Sequence, residues 1–161
     1  MVSCAAAKND VKKECLPAKF MKAGQLFWLW TVRFTNPPAG MPARATMRLE
    51  RHAEFADSLA GVVNRELNAV AGSNPASLGH AARAALAGDL EDGMLLLDES
   101  SDNVSITGTW NAEMVEGSCG NAFQGIWKDT SSSAPDNACG RPFTLTKTPG
   151  RTEPGRLMNS R

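Results

Sequence analysis

The sequence predicts an all-β protein of 161 residues: a single antiparallel up-and-down β-barrel of about eight strands, with a two-sheet β-sandwich as the alternative. Three observations carry this. Four glycines are each framed, two residues to either side, by large apolar residues: Leu59-Gly61-Val63, Leu86-Gly88-Leu90, Ile106-Gly108-Trp110 and Phe123-Gly125-Trp127. Strand side chains alternate faces, so each trio shares one face with a glycine at its centre. A glycine weakens a strand unless a bend or a large ring packed over the gap uses the missing side chain. Gly61, Gly88, Gly108 and Gly125 therefore read as structural residues facing into a rolled sheet. The other two observations are clean apolar/polar alternation in several short segments, and the short polar turns that join them.

Each segment has its own reason. Residues 28–34 (Trp-Leu-Trp-Thr-Val-Arg-Phe) form a first strand ended by Asn36-Pro37-Pro38, because proline cannot donate to a ladder. Residues 44–51 alternate, with Ala45, Met47 and Leu49 on one face and Arg44, Thr46, Arg48 and Glu50 on the other. Residues 57–67 place Leu59, Gly61, Val63 and Leu67 inward, and 68–80, rich in small residues around Ser73-Asn74-Pro75, read as a loop. The alanines of 82–90 suit a helix, but Gly88 and the following Glu91-Asp92-Gly93 turn into Met94-Leu95-Leu96-Leu97 favour a hairpin. After Ser100-Ser101-Asp102-Asn103, the alternation Val104, Ile106, Gly108, Trp110, Ala112, Met114 marks a long strand. Strands over 122–128 and 142–148 follow, separated by a polar loop, 129–141.

Domain organisation follows from composition: a basic N-terminal segment over 1–23, a barrel over 24–148, and a basic C-terminal tail over 149–161, both end segments being expected to be disordered. Seventeen basic and seventeen acidic residues cancel, so no global field favours nucleic acid or an anionic membrane. The distribution is uneven. Residues 1–23 carry five lysines against Asp10 and Glu14, whereas 54–113 carry ten acidic side chains against Arg65 and Arg83. Arg44, Thr46, Arg48 and Glu50 form an outward polar stripe suited to solvent or to a partner protein.

The four cysteines are Cys4, Cys15, Cys119 and Cys139. Cys119 and Cys139 flank opposite ends of a strand pair about 23 Å long. A disulfide holds its Cα atoms within about 7 Å, so that bridge requires loop 129–141 to fold back. Free thiols and a Cys4–Cys15 pair stay open. No stretch approaches the roughly 20 apolar residues of a membrane helix. Residues 25–34 loosely follow the order of a secretory signal, but their apolar part is short, and a first strand is the preferred reading. Met1-Val2-Ser3-Cys4 resembles the end of a bacterial lipoprotein cleavage site without an apolar segment before it. The sequence as written is thus expected in the cytoplasm, and in an exported or lipid-anchored form if its start lies elsewhere.

Catalytic motifs are weak. His52, His80 and Cys119 are the available base and nucleophile types, with nothing fixing their separation. No Cys or His pair has zinc-ligand spacing. Asp98, Glu99, Asp102 and Asn103 cluster at a hairpin turn and offer oxygens to calcium, without the order of a calcium loop. Asn103-Val104-Ser105 fits a glycosylation sequon. No enzyme, cofactor or metal is expected.

Gly108-Thr109-Trp110 and Gly125-Ile126-Trp127 resemble the Gly-x-Trp element of calycins, the group that includes lipocalins and avidins, and Ile106 to Trp110 looks like an avidin first strand. The resemblance implies a calycin-like barrel. Biotin is not an expected ligand, since avidins hold it partly with a tyrosine and this sequence contains none. The functional expectation is a non-enzymatic barrel binding an apolar or amphipathic small molecule, lined by Trp110, Trp127, Phe123 and Met114. The alternative is a filled barrel acting on another protein, as an inhibitor or interaction module, through loops 68–81 and 129–141.

Overall fold

In the computed structural model, which describes residues 15–37, 42–65, 82–131 and 140–149, the chain is a closed antiparallel barrel whose strands follow one another in sequence order. The strands are β1 (Trp28–Phe34), β2 (Arg44–Arg51), β3 (Leu59–Arg65), β4 (Arg83–Glu91), β5 (Met94–Ser100), β6 (Gly108–Met114), β7 (Ala122–Asp129) and β8 (Arg141–Lys147). Closure is made by β1 on β8, with Phe34 opposite Phe143 and Trp30 opposite Lys147. Every strand therefore has two neighbours and no ladder edge is left open to another chain. Leu67, His80, Cys4, Cys139, loop 68–81, most of loop 129–141 and nearly all of the tail from 149 lie outside the described residues.

Alternation sets the inside. Trp30, Val32, Phe34, Met47, Leu49, Leu59, Leu95, Leu97, Phe123, Phe143 and Leu145 are all buried, and their sequence neighbours on the strands face outward or are only half-buried. The alanine-rich 83–91 segment is a strand, joined to β5 through Asp92 and Gly93, both at positive φ (53° and 83°) as a tight hairpin turn demands.

The glycines divide between the two expected uses. A Cβ on Gly61, Gly88 or Gly125 would fall on the carbonyl oxygen of Arg48, Leu96 or Asn111 across the ladder. These three mark places where the sheet coils so tightly that one strand's backbone occupies side-chain space on the next. Gly108 lies under an indole: a Cβ there would sit 2.7 Å from Trp127 Nε1. One trio is corrected. β6 begins at Gly108, not at Val104, and Ile106 and Val104 are 52% and 88% exposed. The cause is a turn built on Asp102, which holds residues 102–105 off the ladder before Thr107 N–H donates to Glu99 O at 2.8 Å.

The segment before β1 closes one end of the barrel. Two short 3-10 turns, Ala18–Phe20 and Ala23–Leu26, bring Met21, Ala23 and Leu26 into the core, and Trp30 Nε1 donates to Leu26 O at 2.9 Å. Met21 and Ala23 belong to the basic segment by composition, yet they pack with the barrel. Cys15 is bonded to Cys119 in the β6–β7 turn, with a Cα–Cα distance of 5.0 Å. This corrects the Cys119–Cys139 and Cys4–Cys15 alternatives and the free-thiol reading for Cys15 and Cys119. Pairing is governed by where the plug docks, which strand periodicity does not encode. A bridge spanning 104 residues of sequence contributes, on chain-entropy grounds, up to about 4–5 kcal/mol by restricting the unfolded chain.

Gly125→Ala is expected to destabilise the barrel by about 1–3 kcal/mol or more, because the methyl group meets backbone that cannot rotate away. A urea unfolding curve measures it, and an unchanged midpoint would contradict the close approach of β6 and β7.

Candidate functional site

The plugged end holds the β2–β3, β4–β5 and β6–β7 turns. The opposite end gathers the last inward residues of β1, β3, β5 and β7 and the first of β2, β4, β6 and β8, as the pairs Phe34–Phe143, Ala45–Arg65, Glu99–Gly108 and Trp127–Arg141 require. Here the apolar interior gives way to charge. Continuing the inward series of β5 (Leu95, Leu97) puts Glu99 inside, and continuing that of β3 (Leu59, Gly61, Val63) puts Arg65 inside. Glu99 is fully buried and Arg65 is 7% exposed.

The two side chains meet as a fork. Arg65 Nη2 donates to Glu99 Oε1 at 3.0 Å, and Arg65 Nη1 lies 2.9 Å from Glu99 Oε2, an ion-pair contact without hydrogen-bond alignment. Oε1 also accepts the indole N–H groups of Trp110 at 2.9 Å and Trp127 at 3.2 Å. The guanidinium carbon stands 5.6 Å from the Trp127 ring centroid, a cation–π distance. Around this cluster Phe34, Trp110, Trp127 and Phe143 pack edge-to-face or tilted, the closest pair being Trp110 and Phe143 at 5.0 Å. A carboxylate buried among rings is costly unless several charged or polar donors converge on it, and here three do.

The four expected ligand-lining residues stand at two levels. Trp110 and Trp127 belong to the charged end, 6.2 Å apart, with both indole N–H groups committed to Glu99. Phe123 and Met114 are paired across β6 and β7 toward the plug, where Phe123 packs edge-on against Trp30 at 5.8 Å. Trp110, Trp127 and Phe123 are at most 5% exposed and contact aromatic neighbours.

The weaker chemical candidates come apart. Cys119 is in a disulfide and is no nucleophile. His52 sits in the β2–β3 turn, its Nδ1 accepting from Glu54 N and Phe55 N at 3.0 and 3.3 Å. Asp98 faces outward on β5, Glu99 faces inward, and Asp102 is engaged by its own turn, so the acidic cluster does not converge. Among the described residues no group of three or more His, Cys, Asp or Glu is arranged to hold a metal ion. No helix among them is long and apolar enough to cross a membrane.

Two further surface features are defined. The β5–β6 turn is braced by Asp102, which accepts from the backbone of Val104 and Ser105, both at 2.9 Å, and from the hydroxyls of Ser100 and Ser105. The backbone N–H bonds from Ser105 and then Val104 lower the carboxyl pKa to about 2. A cleft of about 390 Å³ lies beside the plug, lined among others by Met21, Phe27, Trp28, Asn121 and Lys147. Trp28 is 44% exposed, carries Lys147 Nζ 5.4 Å from its ring centroid, and donates its indole N–H to Thr148 O.

Arg65→Met is expected to cost about 3–5 kcal/mol by stranding a buried carboxylate, and adding Glu99→Gln, which removes the charge but keeps an amide oxygen to accept from the two indoles, should restore part of that loss. Thermal unfolding of the two variants decides it; a double variant less stable than the single one would contradict the stranded-charge explanation. At Asp102 the folded-state pKa lies below the unfolded value, so its contribution is present above about pH 4 and fades as pH falls toward 2. The Val104 and Ser105 amide resonances should titrate with a midpoint near that lower value and lose the titration in Asp102→Asn. No protein-family model matches the chain, and no curated protein is significantly similar to it.

Proposed function

We propose that this protein is a non-enzymatic interaction module: a filled barrel that serves as a rigid frame for loops acting on another protein. The observation that carries the reading is the commitment of the interior. Trp110 and Trp127 give their N–H groups to Glu99, and Phe34 and Phe143 pack around them. A partner is then met from outside. The β3–β4 and β7–β8 connections, which include loops 68–81 and 129–141, leave and return at the Glu99 end. The β5–β6 turn at that end holds Val104 and Ile106 in solvent on a backbone fixed by Asp102, and a preorganised apolar tip loses little freedom on docking. The Cys15–Cys119 bridge is of the kind that persists in oxidising compartments, which supports a working place outside the cytoplasm.

The small-molecule reading keeps one specific support, the cleft beside Trp28, whose volume of about 390 Å³ is in the range of small-ligand sites. Fluorescence separates the two, because Trp28 is exposed while Trp30, Trp110 and Trp127 are buried. Titration with an anilinonaphthalene sulfonate dye is expected to leave tryptophan emission unchanged. Quenching lost in Trp28→Phe would move the function to the cleft, and quenching retained in that variant would restore the barrel interior as a ligand site. A protein partner retained by the wild type and released by a Val104→Asp/Ile106→Asp variant supports the interaction reading; equal retention counts against the β5–β6 turn.

A further inference from the structure

The plug leaves one arc of its end uncovered, and the parity of three neighbouring strands determines what stands there. The inward series of β1 runs from Phe34 through Val32 and Trp30 to Trp28, and that of β8 from Phe143 through Leu145 to Lys147. That of β7 runs back through Phe123 to Asn121, one residue before the strand begins. β7, β8 and β1 are adjacent in the ring, and Lys147 N–H donates to Asn121 O at 2.9 Å, so the three rim residues form one row. Trp30, Leu145 and Phe123 below them are sealed from solvent, whereas Trp28 is 44% exposed. Two clefts meet at this row. The one of about 390 Å³ beside the plug also takes in Gln25, and a second of about 380 Å³ shares Trp28, Asn121 and Lys147 and runs on to Thr148 and Pro149.

We propose that the joined clefts bind an acidic oligosaccharide, one uronate unit lying on Trp28 with its carboxylate at Lys147. The site is at the opposite end from the β5–β6 turn and does not depend on the protein-binding reading. The indole edge is already used, Nε1 donating to Thr148 O at 2.7 Å, which fixes the ring and leaves its face as the binding element. A pyranose offers that face a patch of C–H groups, the complement of the negative face of an indole. Lys147 is the one charged side chain among the described residues lining the two clefts, and no carboxylate lines either. Its ammonium stands 5.4 Å from the Trp28 ring centroid, where a carboxylate can take a charge-assisted hydrogen bond from it. Among the described residues the Asn121 side-chain amide has no hydrogen-bond partner, and Gln25 uses only Oε1, which accepts from Lys22 N at 2.7 Å. Amides that donate and accept suit sugar hydroxyls. An apolar molecule covering them would strand them, so the cleft disfavours a lipophilic dye. The second cleft, continuing past Lys147, gives room for a neighbouring sugar unit.

The test is isothermal titration of the full chain, in about 20 mM NaCl, with four-unit fragments of polygalacturonate, alginate and hyaluronan, and with maltotetraose as the neutral control. At least one acidic fragment should bind, more tightly than its single uronate, and maltotetraose should bind about tenfold more weakly or worse. Lys147→Met should weaken the acidic fragment by about tenfold and bring it level with the neutral one. Trp28→Ala should abolish binding. Asn121→Ala changes an exposed side chain and should weaken binding while far-ultraviolet dichroism stays that of the wild type, so the test stands even if Trp28→Ala does not fold. On saturation of the wild type, acrylamide quenching of tryptophan emission should fall, because Trp28 is exposed while Trp30, Trp110 and Trp127 are buried. No binding of any acidic fragment, equal binding of maltotetraose, or an affinity unchanged in Lys147→Met would each overturn the proposal. A single uronate bound as tightly as the four-unit fragment would overturn the oligosaccharide in favour of a free sugar acid. None of these outcomes involves Val104 or Ile106, so failure here leaves the protein-binding reading standing.

Discussion

A single buried carboxylate organises the open end of this barrel. Glu99 is shut away from solvent, and its ionised form is tolerable only while Arg65 and two indole N–H groups hold it. Those donors come from β3, β6 and β7, so the requirement to satisfy one group fixes strands that are distant in sequence at one level of the barrel. The same contacts orient the two large rings of that end, and Phe34 and Phe143 then fill the space around them. An apolar residue in place of Glu99 would leave two indole donors without an acceptor. The cluster is thus a packing instruction as much as an ion pair.

The other end is closed by different physics. There the chain before β1 lays Met21, Ala23 and Leu26 over the core, and a covalent bond from Cys15 to the β6–β7 turn holds it in place. With a covalent plug at one end and a polar network at the other, the barrel wall itself has little freedom to open. On the proposed reading, a partner or ligand meets the protein outside this frame, at the loops of the Glu99 end or in the cleft beside Trp28.

Much of this is legible from local pattern. The strands read over 28–34 and 44–51 coincide with β1 and β2, and three of the four glycine-centred trios, those of Gly61, Gly88 and Gly125, mark sites of close backbone approach. The parity that identifies Leu95 and Leu97 as inward also reaches Glu99, and that of Leu59 and Val63 also reaches Arg65. Reading Glu99 with Asp98 and Asp102 as one acidic turn hides it, because proximity in sequence then outweighs alternation of faces. The long β6 strand is shorter in the structure for the converse reason: alternation continues through Val104 and Ile106, but side-chain bonds from Asp102 take the backbone off the ladder.

Local order along the chain settles which segments are strands, which face of each is apolar and where the tight turns fall, since these depend on residues a few positions apart. It does not settle that β1 closes on β8, that Cys15 chooses Cys119, or that Glu99 meets Arg65 and both indoles. Each of these joins residues far apart in sequence, and such meetings follow from the curvature and closure of the whole sheet, which no local period specifies.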